Sequence, residues 1–244
     1  MGDAESSRSA CHTMTDLHHG PTRRGRNRAP KQIEAGPAKR GRDADATRQR
    51  ILKAAKAEFA RLGLGGARVD AIAERAKANK RMIYHYFAGK DDLFRAVLED
   101  AYADIRGAER ALRLEEREPE DAIRTLVEFT FGYYLKNPEF LTLVNSENLH
   151  KGKHLKKSPR VREMQQGYVG LVDDVLRRGV ETGVFRSGVD AVQIAVTIAA
   201  IGYYYLTNRF TGSLLFDRDF MAPEALEARL AFNIDTIMRL LRPA

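Results

Sequence analysis

Residues 75–90 combine cationic and aromatic side chains in a way that suits the binding of an anionic polymer. The segment reads RAKANKRMIYHYFAGK and contains five Lys and Arg but no acidic residue. At about 100° per residue, a helix over this segment gathers its polar side chains within roughly 140° of arc: Lys80, Arg81, Tyr84 and His85. Its apolar side chains fall opposite: Ile83, Tyr86 and Phe87. The pattern predicts a short helix with one face that packs and another that meets an anion.

A second short helix precedes this one. Val69, Ile72, Ala73 and Ala76 recur at helical spacing, and three residues, 77–79, separate them from the basic helix. Asn79 is a favoured N-cap residue for that next helix. Two short helices joined by a tight turn, with cations at the start of the second, form a helix-turn-helix. Because such a second helix fits the major groove, which is about 12 Å wide, the residues favour binding to double-stranded DNA.

The rest of the chain shows helical patterning. Apolar residues keep helical spacing from Ile51 to Leu62, and Gly63 is placed to end that helix. Further helices are predicted near residues 90–113, 120–136, 138–149, 159–182, 189–211 and 223–241. Prolines precede or begin four of them: Pro119, Pro138, Pro159 and Pro223. Since no segment alternates as a strand would, we predict an all-α fold.

The stretch IYHYFAGKDDL at 83–93, with Thr47, Phe59, Gly63 and Val69-x-x-Ile72 before it, resembles the TetR family of transcriptional regulators. The resemblance covers roughly residues 47–97. It implies an N-terminal three-helix helix-turn-helix domain followed by a larger helical ligand-binding and dimerisation domain. We place a disordered basic arm at 1–44, the DNA-binding domain at 45–92 and the larger domain at 93–244.

The resemblance implies DNA-binding roles for seven residues. The base-facing start of the recognition helix is Lys80, Arg81 and Met82. Tyr84 and His85 are expected to contact phosphate or base edges. Lys90 and Arg68 are expected to contact the DNA backbone. Arg81 suggests a guanine contact, because Arg pairs bidentately with O6 and N7 of that base. The chain departs from the family at Lys77, where Gly is usual, at Arg81, often small or Pro, and at Met82, usually Thr or Ser.

The larger domain offers two stretches with both apolar and polar groups, as a ligand pocket requires: FTFGYYLKNPEFLTLVNSENLHKGKHL and the triplet YYY at 203–205. The residues expected to face a cavity are Tyr133, Asn145, Asn148, Tyr168 and Tyr204. Phe129, Leu171 and Val175 are candidate walls. The alternative for these aromatic residues is ordinary core packing. Family analogy favours repression and a hydrophobic or aromatic small-molecule effector.

The two C-terminal helices are rich in apolar residues around much of their circumference. Apolar residues recur at spacings of three and four through ALEARLAFNIDTIMRLL: Leu226, Leu230, Ile234, Ile237 and Leu241. We therefore expect a homodimer that pairs through these helices as a four-helix bundle and reads a palindromic operator. The alternative is that both helices only close the core of one chain.

Residues 1–44 are poor in large apolar side chains and carry nine Lys and Arg against five Asp and Glu. Such a segment cannot offset its ordering entropy, so it is predicted to be disordered. Three interpretations of this segment are open: a solvated tail, a stretch upstream of a true translation start at Met14, or a basic arm that lies on DNA. Four potential metal ligands lie here without a fixed geometry, so no metal site is expected: Cys11, His12, His18 and His19.

Composition and motifs narrow the function classes. The net charge of +8 favours a polyanionic partner, and the single cysteine fits a reducing cytoplasm. No apolar run approaches the roughly 18 residues of a membrane span. The chain has no phosphate-binding glycine loop, no metalloprotease motif and no nucleophile elbow, so we expect neither an enzyme nor a cofactor. The alternative function is a basic helical protein that binds nucleic acid without sequence preference.

Overall fold

The computed structural model describes residues 37–243, which form ten α-helices and no strand. Two single 3₁₀ turns lie at Leu114–Glu116 and Leu155–Lys157. The helices are α1 Pro37–Gly66, α2 Val69–Arg75, α3 Lys80–Tyr86, α4 Lys90–Arg110, α5 Pro119–Lys136, α6 Pro138–Leu149, α7 Pro159–Glu181, α8 Ala191–Thr207, α9 Arg209–Leu215 and α10 Pro223–Leu241. The predicted all-α fold is confirmed. None of the described helices is long and apolar enough to cross a membrane.

Most predicted helix bounds hold within a few residues, and the four prolines are each the first residue of a helix. Gly63 interrupts α1 with φ 65°, as expected, although helical structure resumes and runs to Gly66. The prediction of a single helix over 189–211 is wrong, because the structure has two helices there, α8 and α9. The two helices are separated at Asn208, whose φ of −97° and ψ of 13° depart from helical values. Its side-chain amide also donates to the carbonyl of Tyr204, 2.9 Å away.

Helix α1 begins at Pro37, inside the span for which we predicted disorder. For residues 37–44 that prediction is therefore wrong, since they form the start of the helix that buries Ile51 and Phe59. Residues 1–36, including the candidate metal ligands at 11–19, lie outside the described residues.

Helices α1 to α3 and the first turns of α4, which we call the head, surround one apolar cluster. Its fully buried side chains come from all four helices: Ile51, Phe59, Ile72, Ile83, Leu93 and Phe94. The rings of Phe59 and Phe94 meet edge to face with centroids 5.0 Å apart. Buried Glu58 pairs with Arg75 of α2 and with Arg61 of its own helix. This core fixes the orientation of α3, whose outer face stays exposed.

The remaining helices, which we call the body, pack around α5, which contacts α7, α8 and α10. The head joins the body through α1, which lies against α4 and α6. One buried hydrogen bond crosses this joint, from the backbone N–H of Leu64 to Oγ of Ser146, 3.3 Å away. Because the head cluster continues into body residues such as Phe131 and Leu206, the two parts share one apolar core.

Candidate nucleic-acid interface and body cavity

The turn between α2 and α3 sets the angle at which α3 leaves the head. The N–H of Ala78 bonds the carbonyl of Ala73 and the N–H of Lys77 bonds that of Glu74, each at 3.0 Å. This pair of bonds is the Schellman motif, which places its penultimate residue in the left-handed region. Lys77 holds that position with φ 49°. The departure from the family's usual glycine therefore puts a strained, exposed cation at the turn.

Helix α3 is amphipathic, as its spacing predicts. Oδ1 of Asn79 accepts a hydrogen bond from the N–H of Arg81 at 2.9 Å, which confirms the N-cap. Ile83 and Phe87 are buried, and the outer face exposes Lys80, Arg81, Tyr84 and His85. Met82 is half-buried and packs against the head cluster. Only part of its side chain is available to a partner.

The basic side chains of the head differ in whether they are already bonded to another part of the protein. Lys80 is tied to Asp70 of α2, with Nζ and Oδ1 2.7 Å apart. Nζ of Lys90 donates to the carbonyl of Gly65 at 3.3 Å, so its position over the end of α1 is fixed. Among the described residues, no acidic side chain lies within ion-pair distance of Arg68 or Arg81. Both guanidinium groups are exposed and ready for an anionic partner.

A cavity of about 290 Å³ lies in the body, bounded by α4, α5, α6, α7 and α8. Five aromatic side chains line it: Tyr102, Tyr134, Phe140, Tyr168 and Tyr203. Helix α8 contributes small residues to its wall, among them Ala195, Ala199 and Ala200. Polar groups reach it from α4, where Arg106 and Glu109 lie one turn apart.

Arg106 and Glu109 form a buried ion pair at this cavity, with side chains 11% and 3% exposed. The guanidinium of Arg106 also lies over the ring of Tyr168, 3.9 Å from its centroid. Burial raises the pKa of the Glu109 carboxyl to about 7, although Arg106 opposes the shift. Burial also raises the pKa of Tyr168 to about 12. An ionisable pair in an aromatic cavity marks this place as a candidate ligand site.

Of the five residues expected to face a cavity, the structure places only Tyr168 in this one. The hydroxyl of Tyr133 donates instead to Asp104 at 2.6 Å. Asn145 is exposed and accepts a hydrogen bond from Tyr203, and exposed Asn148 bonds the carbonyl of Val144. Tyr204 is 65% exposed and lines a separate surface groove with Phe216 and Phe232. The neighbours Tyr134 and Tyr203 face the cavity in place of Tyr133 and Tyr204.

The three residues expected to form cavity walls lie in three different places, none of them in this cavity. Val175 is buried in a second apolar cluster, which α5, α7, α8 and α10 form. Phe129 packs against the head cluster, and Leu171 lines a groove between α4 and α7. Sequence reasoning missed Arg106 and Glu109. The signal was present, because Leu98, Ala101 and Ile105 form the buried stripe of α4 and Glu109 continues it. A charged residue at the next position of an apolar stripe is the cue for a buried polar site.

Helices α8, α9 and α10 expose an unusual amount of apolar surface. The exposed side chains are Val192, Val196, Tyr204, Phe210, Leu214, Leu215, Phe216, Phe232 and Leu240. Leu214 and Leu215 are 83% and 80% exposed. The same helices also bury Ile198 and Ile237 in the second apolar cluster, so they close the core of the chain as well. Exposed apolar side chains concentrated on helices that contact one another indicate an interaction face.

Known proteins match both parts of this architecture. Residues 51–97 match the family described as bacterial regulatory proteins, tetR family, and residues 119–237 match the tetracyclin repressor-like C-terminal domain. The chain is 40% identical over 203 residues to the HTH-type transcriptional repressor NicS of Pseudomonas putida, covering 83% of this chain and 96% of that protein. The chain belongs to the TetR family. It is thus a helix-turn-helix DNA-binding regulator, of a class that is not enzymatic.

Three further known proteins are similar to this chain. The HTH-type transcriptional repressor SCO4008 of Streptomyces coelicolor is 36% identical over 160 residues, which cover 66% of this chain and 78% of that protein. The crystal structure of SCO4942 from Streptomyces coelicolor superposes with a TM-score of 0.61 at 26% identity, covering 81% of this chain and 99% of that one. The regulator FadR of Bacillus subtilis, solved with stearoyl-CoA, shares the fold with a TM-score of 0.59 at 17% identity, covering 78% and 97%.

Proposed function

We propose that this TetR-family regulator is a repressor that binds a palindromic operator as a dimer and is released by a small molecule. The observation that carries the DNA-binding part is the outer face of α3. It presents Arg81, Tyr84 and His85 to solvent above a packed inner face. Residues 45–92 would form the DNA-binding domain and the following residues the ligand-binding and dimerisation domain. The repressors NicS and SCO4008 favour repression as the sign of regulation.

The roles proposed for the head residues follow their surroundings. Arg81 would read a guanine, because its guanidinium is exposed and has no acidic neighbour among residues 43–243. Lys90 and Arg68 would contact phosphates at the two ends of the helix-turn-helix. Tyr84 and His85 would meet phosphate or base edges. Lys80 would have to break its ion pair with Asp70 before it contacts DNA. Half-buried Met82 would make at most an apolar contact.

The dimer would form through α8 and α10, with α9 at the edge of the interface. A two-fold interface presents the same patch from each copy, and the exposed apolar side chains of these helices supply such a patch. Their burial would also hold two α3 helices at the spacing of one DNA turn, about 34 Å, which a palindromic operator requires. A ligand in the body cavity would release DNA by changing that spacing.

Selection from a random duplex library at about 150 mM salt tests this function. A palindromic winner, bound with a stoichiometry of whole dimers, supports a sequence-reading regulator. Specific binding should exceed non-specific binding by roughly 10³-fold or more at fixed salt. If no sequence is enriched and all duplexes are lost together as salt rises, the chain binds nucleic acid without sequence preference, and the proposal is overturned.

The dimer is tested separately by sedimentation. Val192 of α8 and Phe232 of α10 are 49% and 61% exposed, so replacing either with Glu should not disturb the fold of one chain. We expect Val192→Glu and Phe232→Glu each to yield monomers that lose the operator. The control is Val180→Glu at an exposed valine of α7, which should remain dimeric. If the Val192→Glu and Phe232→Glu variants both remain dimeric, α8 and α10 do not form the interface.

A further inference from the structure

We propose that the effector is a small aromatic carboxylate whose anionic group binds Arg106 beside Glu109 in the body cavity, while Glu109 takes up a proton. This inference rests on the proposed ligand-responsive function and adds the chemistry of the ligand. It is carried by the arrangement of one buried cation, one neighbouring buried acid and a set of aromatic walls.

The buried cation has hydrogen-bonding capacity to spare. Arg106 donates to Glu109 through Nη1, while its Nε, buried, has no partner among the described residues. A buried N–H without an acceptor is costly, and a bound anion would relieve that cost. A guanidinium presents its N–H groups as a fork that a carboxylate matches with two parallel bonds. The free Nε beside Nη therefore favours a carboxylate over a neutral group.

Glu109 is an acid that can give up its negative charge. Burial raises its pKa to about 7, so the energetic cost of protonating it near neutral pH is small. When a ligand carboxylate binds Arg106, a second carboxylate beside it would be repelled. Glu109 then takes a proton from solvent and stays in place as a neutral acid. Binding of the anion is thereby coupled to the uptake of one proton.

The charged and titratable groups around Glu109 agree with this exchange. Arg106 and Arg110 are the cations on its own helix. Tyr134 of α5 and Tyr168 of α7 face it from the packed helices, and burial raises the pKa of each phenol so that both stay neutral. Glu115, Glu163 and Asp174 line the neighbouring groove between α4 and α7.

The walls of the cavity select a flat ring. Phe140 stacks with Tyr134 at a centroid distance of 5.9 Å and meets Tyr102 edge to face at 5.5 Å. A planar aromatic ligand extends such offset and edge contacts, whereas a flexible chain does not. The volume of about 290 Å³ lies at the small end of ligand pockets, which span about 300 to 1,000 Å³. It suits one ring with few substituents.

Calorimetry on the DNA-free protein tests the ligand class. The probes are benzoate and 4-hydroxybenzoate, each with its neutral amide as the matched control, and cyclohexanecarboxylate as the non-planar acid. We expect the aromatic acids to bind about 10- to 100-fold more tightly than their amides. The dissociation constant should be flat below pH 7 and rise about tenfold per pH unit above it. Titrations in phosphate and in Tris buffer should show proton uptake.

Substitutions at Arg106 and Glu109 distinguish their proposed roles in ligand binding from a contribution to protein stability alone. Arg106→Gln should abolish the preference for acids over amides, and the double variant Arg106→Gln/Glu109→Gln should do so without leaving a buried carboxylate unpaired. Glu109→Gln should keep acid binding and lose its pH dependence, a result that a purely structural role would not give. Arg124→Gln is the control, because this exposed Arg of α5 does not line the cavity.

Three results would overturn the inference: equal binding of acids and amides, an unchanged pH profile in Glu109→Gln, or no binding of any probe up to about 10 mM. Operator selection distinguishes these failures from failure of the proposed function. A protein that selects an operator but binds no aromatic acid remains a regulator with a different effector. A protein that selects no operator overturns the regulator itself, whatever the calorimetry shows.

Discussion

Lys153, in the loop after α6, and Asp91, in the first turn of α4, form an ion pair with 2.5 Å between Nζ and Oδ2. Asp91 follows the recognition helix by a few residues, whereas Lys153 belongs to the body. Behind the pair, Nδ1 of buried His154 lies 2.6 Å from Oε2 of Glu147. The ring of His154 meets Phe94 of the head edge to face. Head and body are thus joined by a polar cluster around α4.

Glu147 should be the member of this cluster on which stability depends. Its carboxylate is buried and accepts hydrogen bonds from the backbone N–H groups of His154 and Leu155, at 2.7 and 2.9 Å. Glu147→Ala leaves these donors unpaired, and we expect the free energy of unfolding to fall by about 3 kcal/mol. Urea denaturation followed by circular dichroism measures this loss.

Lys153→Ala is the matched control, because both members of its ion pair with Asp91 are more than half exposed. It should cost well under about 1 kcal/mol. Equal losses for Glu147→Ala and Lys153→Ala would mean that burial of the Glu147 carboxylate does not set its contribution.

Lys77 provides a prediction of increased stability. Its φ of 49° costs a side-chain-bearing residue about 1 kcal/mol that glycine does not pay. We expect Lys77→Gly to raise the free energy of unfolding by up to that amount, seen as a higher urea midpoint. Lys77→Ala, which removes the charge but keeps the strain, should give no such gain. A gain of the same size from Lys77→Ala would show that charge, and not backbone strain, sets the effect.

The head could be predicted from sequence in more detail than the body. In the head, short helices with one buried stripe leave little choice of orientation, so the outer placement of Tyr84 and the cap at Asn79 followed from spacing alone. In the body, helices are covered on several sides, and neighbours such as Tyr133 and Tyr134 are both buried. Which of them faces a cavity depends on how five helices pack, and periodicity along one helix does not contain that information.

Glu109 predicts an unusual pH dependence of stability. Its pKa is raised to about 7 in the folded chain, above that of an unfolded glutamate, so the folded state binds more protons between those values. Stability contributed by its protonation is present at low pH and is lost as pH rises toward 7. We expect a loss of about 2 kcal/mol between pH 5 and 8.

The difference between wild type and Glu109→Gln isolates this contribution from other groups that titrate in the same range. Urea midpoints measured from pH 5 to 8 should fall with pH in the wild type more steeply than in Glu109→Gln. Parallel profiles for the two proteins would show that Glu109 titrates near its ordinary pKa despite its burial. That outcome would also remove the proton uptake proposed for ligand binding.

Arg81 and Lys90 should affect DNA binding in different ways. Arg81→Ala should relax the preference for guanine at one operator position, a loss of about 1 to 3 kcal/mol of discrimination. Lys90 is held by the carbonyl of Gly65 at the end of α1, where it would meet phosphate. Lys90→Ala should weaken all duplexes about equally and lower the salt slope by about one unit. Repeating the duplex selection with each variant measures both effects, and an unchanged motif with Arg81→Ala would show that this side chain does not read a base.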